Sequence, residues 1–400
     1  MGRRPPLPGR GCDAVPCARL GNGAPTDTLT LGVEEEFLVV DRASGALVPR
    51  ADEVLVHAVP ALGDAVASEL NLCQIEVGTP VCTTLGEVRS QLTRLRRGLS
   101  SAADQVGNCV AAVGAHPFGY WEDQRVDVRN ERYRRMEDAY QIVARQQVIC
   151  GCHVHVGIAD RELAIDTMNR VRPWLAVLLA LSANSPFWRS LDTGYASYRH
   201  QVWQRWPTSG MPPRLESYAQ FQELVGQLES IEAIEDPTFI YWYVRPSIRY
   251  PTLEFRSCDA CLEVDHTVAI AGLVRALAWT CARDALDGQP DAVPRREIMQ
   301  AAMWRAGRYG LSAELVSPSA MATRPAAEVV GELLDHVKDG LEAHGDWDEV
   351  NALVADMLER GNGASRQLAA FARRRDTHDV LKVVLAATVP PPETATAGPR

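Results

Sequence analysis

Lysine is almost missing from this 400-residue chain: of its 41 basic residues only Lys338 and Lys382 are lysines, both late and outside any motif. That excludes chemistry requiring a lysine at a phosphate, as in P-loops and kinases, and chemistry built on a lysine Schiff base, so any phosphate must be met by arginine. Basic excess is missing too. A net charge of −10 argues against a nucleic-acid partner, which would need a basic footprint. No apolar run is long enough for a bilayer; the longest, Trp174 to Ala183, follows a proline and reads as a buried helix, so no membrane partner is expected. Residues 1–28 hold arginines but lack the apolar stretch of a secretory leader. They and the tail 388–400 are expected to be disordered. No Ser/Gly/Pro-rich linker divides the middle, which gives one domain over 29–387. The ten cysteines lack a framework spacing, which suits a reduced, cytoplasmic protein.

What is present is an unusual strand. In "LGVEEEFLVVD", Leu31 to Asp41, alternation puts Glu34 and Glu36 on one face with Gly32, and Glu35 on the other with Val33, Phe37 and Val39. Two carboxylates at i and i+2 stand roughly 6–7 Å apart by the strand rise. When partly buried they repel unless a cation lies between them or one is protonated. Glu35 faces the apolar side, where the sequence gives no physical account of it; an arginine of an outer helix is one partner open to it.

Further strands follow in "ELNLCQIEVGT", "CVAAVGAHPFG", "VICGCHVHVGI" and, twice, in "FIYWYVRPSIRYPTLEFRSCDAC". Helical spacing marks Val54 to Leu62, Leu85 to Val106, the segment "RNERYRRMEDAYQIVARQ", Arg161 to Ala183, and most of the chain to Ala387. The connection from Ser185 to Pro213 is longer than a passive loop, a mark of functional segments. Strands arrive in pairs and singly rather than in a βαβ series, so the class is α+β, with an antiparallel or mixed sheet flanked by helices.

Four of these strands carry polar groups on one face: Glu34 and Glu36, Glu76, His153 with His155, and Glu254 with Arg256. Any one such strand is ordinarily a solvated sheet face; their joint occurrence, with Gly151 and Gly157 flanking the histidines, raises the alternative of a metal site. Oxygen-rich ligation with an occasional His suits Mg²⁺ or Mn²⁺ better than Zn²⁺, and a cation among arginines points to nucleotide phosphate. The lone Cys258–Cys261 C-x-x-C, without a second pair, is a weak zinc or redox signal. Arg132 and Tyr133 in "RNERYRR", Arg199 in "ASYRH" and Arg245 in "YVRPS" stand at element edges, where a structural role is the ordinary one.

The ordered signatures "GVEEEF", "NERY", "HVHVG", "DTGYASYR", "RPS", "LEFRSCD" and "RYGL" resemble the carboxylate-amine ligase family, the type 2 glutamate–cysteine ligases. The resemblance implies a fold like the catalytic domain of glutamine synthetase, a curved, largely antiparallel sheet whose concave face binds ATP and Mg²⁺ (or Mn²⁺). It implies Glu34, Glu36, Glu76, His153, His155 and Glu254 as metal ligands or near-ligands. It further implies Arg256 and Arg199 as catalytic groups, and Arg256, Arg132, Tyr133 and Arg245 at the nucleotide. The implied activity is ATP-dependent joining of the glutamate γ-carboxylate to the amine of cysteine. The alternatives are the same chemistry on another acid or amine, or a retired nucleotide- and metal-binding relative; a homodimer is an assembly compatible with either. One departure stands out: Ala302 and Met303 occupy a position where the family often has Asn-Arg.

Overall fold

The computed structural model describes residues 29–391 apart from residue 292; the segments 1–28 and 392–400, expected to be disordered, lie outside the described residues. Eleven strands occur among the described residues. In chain order they are β1 (Leu31–Asp41), β2 (Val66–Ser68), β3 (Gln74–Gly78), β4 (Asn108–Ala111), β5 (Gly151–Gly157), β6 (Phe187–Trp188), β7 (Leu191–Asp192), β8 (Val244–Pro246), β9 (Thr252–Asp259), β10 (Glu314–Ser317) and β11 (Ala322–Pro325). Seven of them form one sheet in the order β2-β3-β1-β5-β9-β8, with β4 also on β1. Every pairing within it is antiparallel. Leu38 faces Gln74 on one side and Ala111 on the other, so β4 shares with β5 the edge of β1 opposite β3. The α+β class with an antiparallel, helix-flanked sheet is thus as expected.

Alternation decides which face of the sheet is dry. Val33, Phe37, Ile75, Val77, Val154, Val156, Leu253 and Phe255 are each no more than 1% exposed. They pack with the helices Ala51–Leu62, Leu85–Gln105 and Val264–Leu286. At about 1.5–3 kcal/mol for each such side chain, a one-residue slip of register would expose the whole set. The polar groups are thereby fixed on the opposite face.

The helices depart from the spacing-based reading where the chain must turn. The stretch Arg161 to Ala183 is not one helix: Arg161–Val171 and Leu175–Ser182 are separated by a 3₁₀ turn containing Pro173, because proline cannot donate to the helical ladder. Likewise "RNERYRRMEDAYQIVARQ" stops at Gln141, whose φ of 50° separates Glu131–Tyr140 from Ile142–Arg145. The hairpin β10–β11 interrupts the expected C-terminal run of helices. The final helix ends at Thr388, which is buried and donates its hydroxyl back to Val384 O, so the packed chain reaches one residue beyond the expected limit of 387. Ala302 and Met303 lie in the core.

Candidate active site

The register of the sheet brings the expected residues together, one strand after another. Glu76 on β3 lies opposite Glu36 on β1, Glu34 on β1 opposite His153 on β5, His155 on β5 opposite Glu254 on β9, and Glu254 opposite Arg245 on β8. Each pair is a direct cross-strand neighbour, the closest approach side chains on a sheet can have. His153 Nδ1 is 3.3 Å from Glu34 Oε2 and its Nε2 is 3.9 Å from Glu36 Oε1, while His155 Nε2 is 3.4 Å from Glu34 Oε1. All six residues expected at a metal therefore share one neighbourhood.

Two triads stand out within it. Ligating atoms of Glu34, His153 and Glu254 lie within 4.8 Å of one another, as do those of Glu36, Glu69 and Glu76. Glu69 escaped the sequence reading because it sits in the turn between β2 and β3, where strand alternation says nothing about direction. Its position at the head of "ELNLCQIEVGT" was the available signal. Tyr133 donates its hydroxyl to Glu69 Oε2 at 2.9 Å, which places this residue of the "NERY" signature beside the second triad.

The two triads differ in charge. Burial raises the Glu34 carboxyl, but the hydrogen bond with His153 and the nearby imidazole of His155 outweigh it and hold the group well below the ordinary carboxylate range. Glu254 is likewise pushed up by burial and drawn down further by Arg256 and Arg245. In the second triad burial and mutual repulsion outweigh the offsetting contacts from Arg199, Arg256, Tyr133 and the Gly151 N–H. Burial and the charge of Glu69 push Glu36 up to about 7, burial raises Glu69, and burial with three neighbouring carboxylates raises Glu76 well above its usual value. Burial and then Arg256 lower His153 to about 4, keeping it neutral and able to offer a lone pair.

The arginines separate into two sets. Arg256 contacts Glu254 and lies over the Trp203 ring at 5.3 Å; Arg199 lies over the same ring at 5.3 Å. The buried Nε atoms of both have no hydrogen-bond partner among the described residues. Arg199 reaches the sheet because residue 151 is glycine: a Cβ there would collide with its guanidinium. Asp259, another residue the sequence reading passed over, sits 3.9 Å from Arg199 Nη1. It accepts bonds from Asn184 N, Ser185 Oγ and Ser197 Oγ at 2.7–2.9 Å. Arg245, in contrast, is committed to the protein: to Glu254 at 2.9 Å and to the carbonyls of Thr238 and Ile240 at 2.9 and 2.7 Å. It serves to hold Glu254. Arg132 is half-buried against Asp236, Thr238 and the Phe239 ring, which lies 4.4 Å away. Arg245 is thus committed to the protein, whereas Arg132, with 31% of its side chain exposed, is more open than Arg199 or Arg256, with 2% and 10%. Cys258 and Cys261 are buried free thiols, and no group of three metal-ligating residues forms around them among the described residues.

A divalent cation fits the donors present. His153 Nε2 and His155 Nε2 are buried without a hydrogen-bond partner. Three carboxylates crowd together, a placement that costs free energy unless a cation or protons intervene. Oxygen donors with one imidazole match the preference of Mg²⁺ or Mn²⁺.

Comparison with known proteins bears on these groups together. The family model described as glutamate-cysteine ligase family 2 matches residues 30–385. The chain is 39% identical over 367 residues to "Putative glutamate--cysteine ligase 2" of Rhodopirellula baltica, covering 90% of this chain and 97% of that one. It is 42% identical over 372 residues to "Putative glutamate--cysteine ligase 2-2" of Frankia casuarinae, covering 92% of this chain but spanning only 43% of that protein's length. Among solved structures, a bifunctional glutathione synthetase from Pasteurella multocida superposes with a TM-score of 0.69 at 15% identity, over 90% of this chain and 52% of that one. A glutamate–cysteine ligase from Francisella tularensis, solved in complex with AMP, superposes at 0.64 with 12% identity, over 90% and 88%. At these identities the two structures show a shared fold.

Proposed function

The chain belongs to glutamate-cysteine ligase family 2, and from that premise we propose that it is an ATP-dependent ligase joining the γ-carboxylate of glutamate to the amine of cysteine. The observation that carries this reading is the convergence of two acidic triads and two arginines with unpartnered Nε donors on one sheet face. We read residues 29–387 as the single domain that houses it.

An amide does not form directly from a carboxylate and an amine near neutral pH. In the proposed reaction an oxygen of the γ-carboxylate attacks the γ-phosphorus of ATP, the bond from that phosphorus to the β–γ bridging oxygen breaks, and ADP leaves. The amine nitrogen then attacks the acyl carbon, gives up a proton, and phosphate departs. Glu34, His153 and Glu254 would hold one Mg²⁺ or Mn²⁺ and Glu36, Glu69 and Glu76 another, with His155 supporting Glu34. When bound, such cations offset charge on the phosphates. Arg256 and Arg199 present forked donors to the transferring phosphoryl group, a geometry that a lysine would not reproduce. Arg245 keeps Glu254 in place, and Tyr133 keeps Glu69. No nucleophilic side chain is required.

The test is ADP release by the full chain across a panel of acids and amines with ATP and Mg²⁺. Glutamate with cysteine giving the fastest release supports the proposal; another pair releasing ADP faster would keep the chemistry and change the substrates; no release with any pair would sink the ligase reading.

A further inference from the structure

A cavity of about 200 Å³ lies where the helices Arg161–Val171, Val264–Leu286 and Ala326–His344 meet the segment that follows Leu286. None of its lining residues belongs to the seven-stranded sheet, and none takes part in either carboxylate triad. Its floor is Cys281 and Trp174, 2% and 9% exposed, and its mouth the exposed Pro290 and Ser319. Pro173, Pro294 and Pro318 make up much of the remaining wall. A proline has no N–H to offer, so these walls are apolar and supply no backbone donor of their own.

The polar groups between them are left unmatched. Asp284 is half-buried, and its carboxylate has neither a hydrogen bond nor an ion pair among the described residues. Asp291 accepts from Arg214 Nε at 3.1 Å through Oδ2 but buries Oδ1 without a partner. His336 stacks on Trp174, with ring centroids 4.7 Å apart and planes at 16°, and buries Nε2 without a partner. Arg170 is the one basic residue in the lining, and its fork is spent on carbonyl oxygens, Nη2 on Gln289 O at 2.8 Å and Nη1 on Pro290 O at 3.5 Å. It pairs with neither carboxylate, and only its buried Nε remains.

Acceptors therefore outnumber donors. Burial holds the His336 ring below its ordinary value, so near neutral pH the imidazole is uncharged and offers a lone pair. Two carboxylates and that lone pair face a single free N–H, and buried polar groups left without partners cost free energy. A ligand that relieves them carries positive charge and several N–H donors on an apolar body. The volume sets the size of that body: about 150 Å³ suffices for benzene, so the cavity takes one ring with one charged substituent. We propose that it binds a small organic cation, a single ring bearing an amidinium or ammonium group, with Asp284 and Asp291 accepting from the nitrogen atoms and the ring held between Trp174 and the prolines. The site stands apart from the carboxylate face and is independent of the ligase reading.

Calorimetry on the full chain tests it with benzamidine, its neutral counterpart benzamide, and benzoate. Benzamidine is expected to bind at least tenfold more tightly than benzamide, and benzoate not to bind. Asp284→Asn should weaken benzamidine at least tenfold and leave benzamide within twofold, whereas Glu34→Gln, on the sheet face, should leave benzamidine within twofold. A wild type that does not bind benzamidine, or that binds benzamide as tightly, overturns the proposal and leaves the cavity to ordered water. Benzamidine binding that Asp284→Asn retains within twofold overturns it as well, as does binding lost in Glu34→Gln, which would put the probe on the carboxylate face. Thermal melts of Asp284→Asn are expected to match wild type, because its carboxylate has no partner to lose. Should that variant melt lower, Asp291→Asn is read by the same thresholds.

Discussion

Arg96 and Glu35 form a two-pronged ion pair sealed inside the protein, on the face of the sheet opposite the carboxylate triads. Arg96 Nε donates to Glu35 Oε2 at 2.9 Å and Nη2 to Oε1 at 2.5 Å, with 0% and 1% of the two side chains exposed. The remaining donors go to the carbonyls of Leu262, Thr388 and Cys261 at 2.8–3.1 Å, and Thr267 Oγ1 donates to Glu35 Oε1 at 2.6 Å. The middle glutamate of the three-glutamate run thus ties the first strand to the helix Leu85–Gln105 and, through Arg96, to the C-terminal end of the helix Thr377–Thr388. Arg96→Met should cost about 3–5 kcal/mol, because it leaves a buried charge unpaired. Chemical denaturation of Arg96→Met and of Glu35→Leu/Arg96→Met checks this: the double variant is expected to regain at least half of the loss.

Glu34→Gln and Glu254→Gln should each lower turnover by several orders of magnitude with the circular dichroism spectrum retained, since both leave the apolar face of the sheet untouched. Activity near the wild-type level in either would remove it from the proposed metal set.

Glu69→Gln separates stability from activity. In the metal-free protein it relieves repulsion among Glu36, Glu69 and Glu76, while a glutamine oxygen can still accept from Tyr133. Metal-free stability should rise, and the gain in melting temperature on adding Mg²⁺ should shrink. A drop in metal-free stability would mean that Glu69 acts as a structural anchor.

For Arg256 the informative change is to lysine. If the residue only balanced Glu254, keeping the charge would be nearly silent; if its fork meets phosphate oxygens, Arg256→Lys should cost about 2–4 kcal/mol in turnover, by comparison with losing one preorganised donor. The KM for ATP should move far less, because the contact tightens in the transition state. An unchanged kcat would return Arg256 to structural duty.

Gly151→Ala tests whether Arg199 must lie where it does, since the added methyl would occupy the place of its guanidinium. Turnover should fall at least tenfold. Arg199→Ala combined with Gly151→Ala should be no slower than Arg199→Ala alone; a further additive loss would show that the glycine serves another purpose.

Acid sensitivity should trace in part to His116, away from the carboxylate face. Its Nε2 meets Gly45 O at 3.0 Å and its Nδ1 accepts from Phe118 N–H at 3.3 Å, an arrangement that needs the neutral ring. Burial lowers its pKa to about 4. Unfolded imidazole takes up a proton near 6.5, so between about 6.5 and 4 the unfolded state binds more protons and stability falls as pH falls. The full contribution, present above about 6.5, is about 3 kcal/mol at 1.36 kcal/mol per unit, and no more is lost below about 4. His116→Gln should flatten the stability profile over that window in thermal melts; an unchanged slope would place the sensitivity elsewhere.

Much of the polar face was legible in the sequence because strand periodicity is local and exact in its consequences. Alternation alone puts Glu34 with Glu36, His153 with His155 and Glu254 with Arg256, and puts Glu35 on the dry side, where its arginine partner is found. Alternation cannot say which strands are neighbours. That β5 separates β1 from β9, so that Glu34 meets His153 and His155 meets Glu254, is decided by long-range pairing. Glu69 and Asp259 became visible only through their partners: one lies in a turn, and the other, although on β9, is defined by bonds from a segment more than sixty residues away in sequence. The breaks at Pro173 and Gln141 lie between these cases, the first written in a residue that cannot donate and the second in a backbone angle that glutamine adopts only under tertiary constraint. The sequence by itself determined the chemistry of the face, because each side chain's direction follows from its own strand. Only the tertiary structure decided which arginines remain available to a substrate and which are committed to the protein, because a guanidinium's availability depends on every carbonyl and carboxylate that the fold brings within its reach.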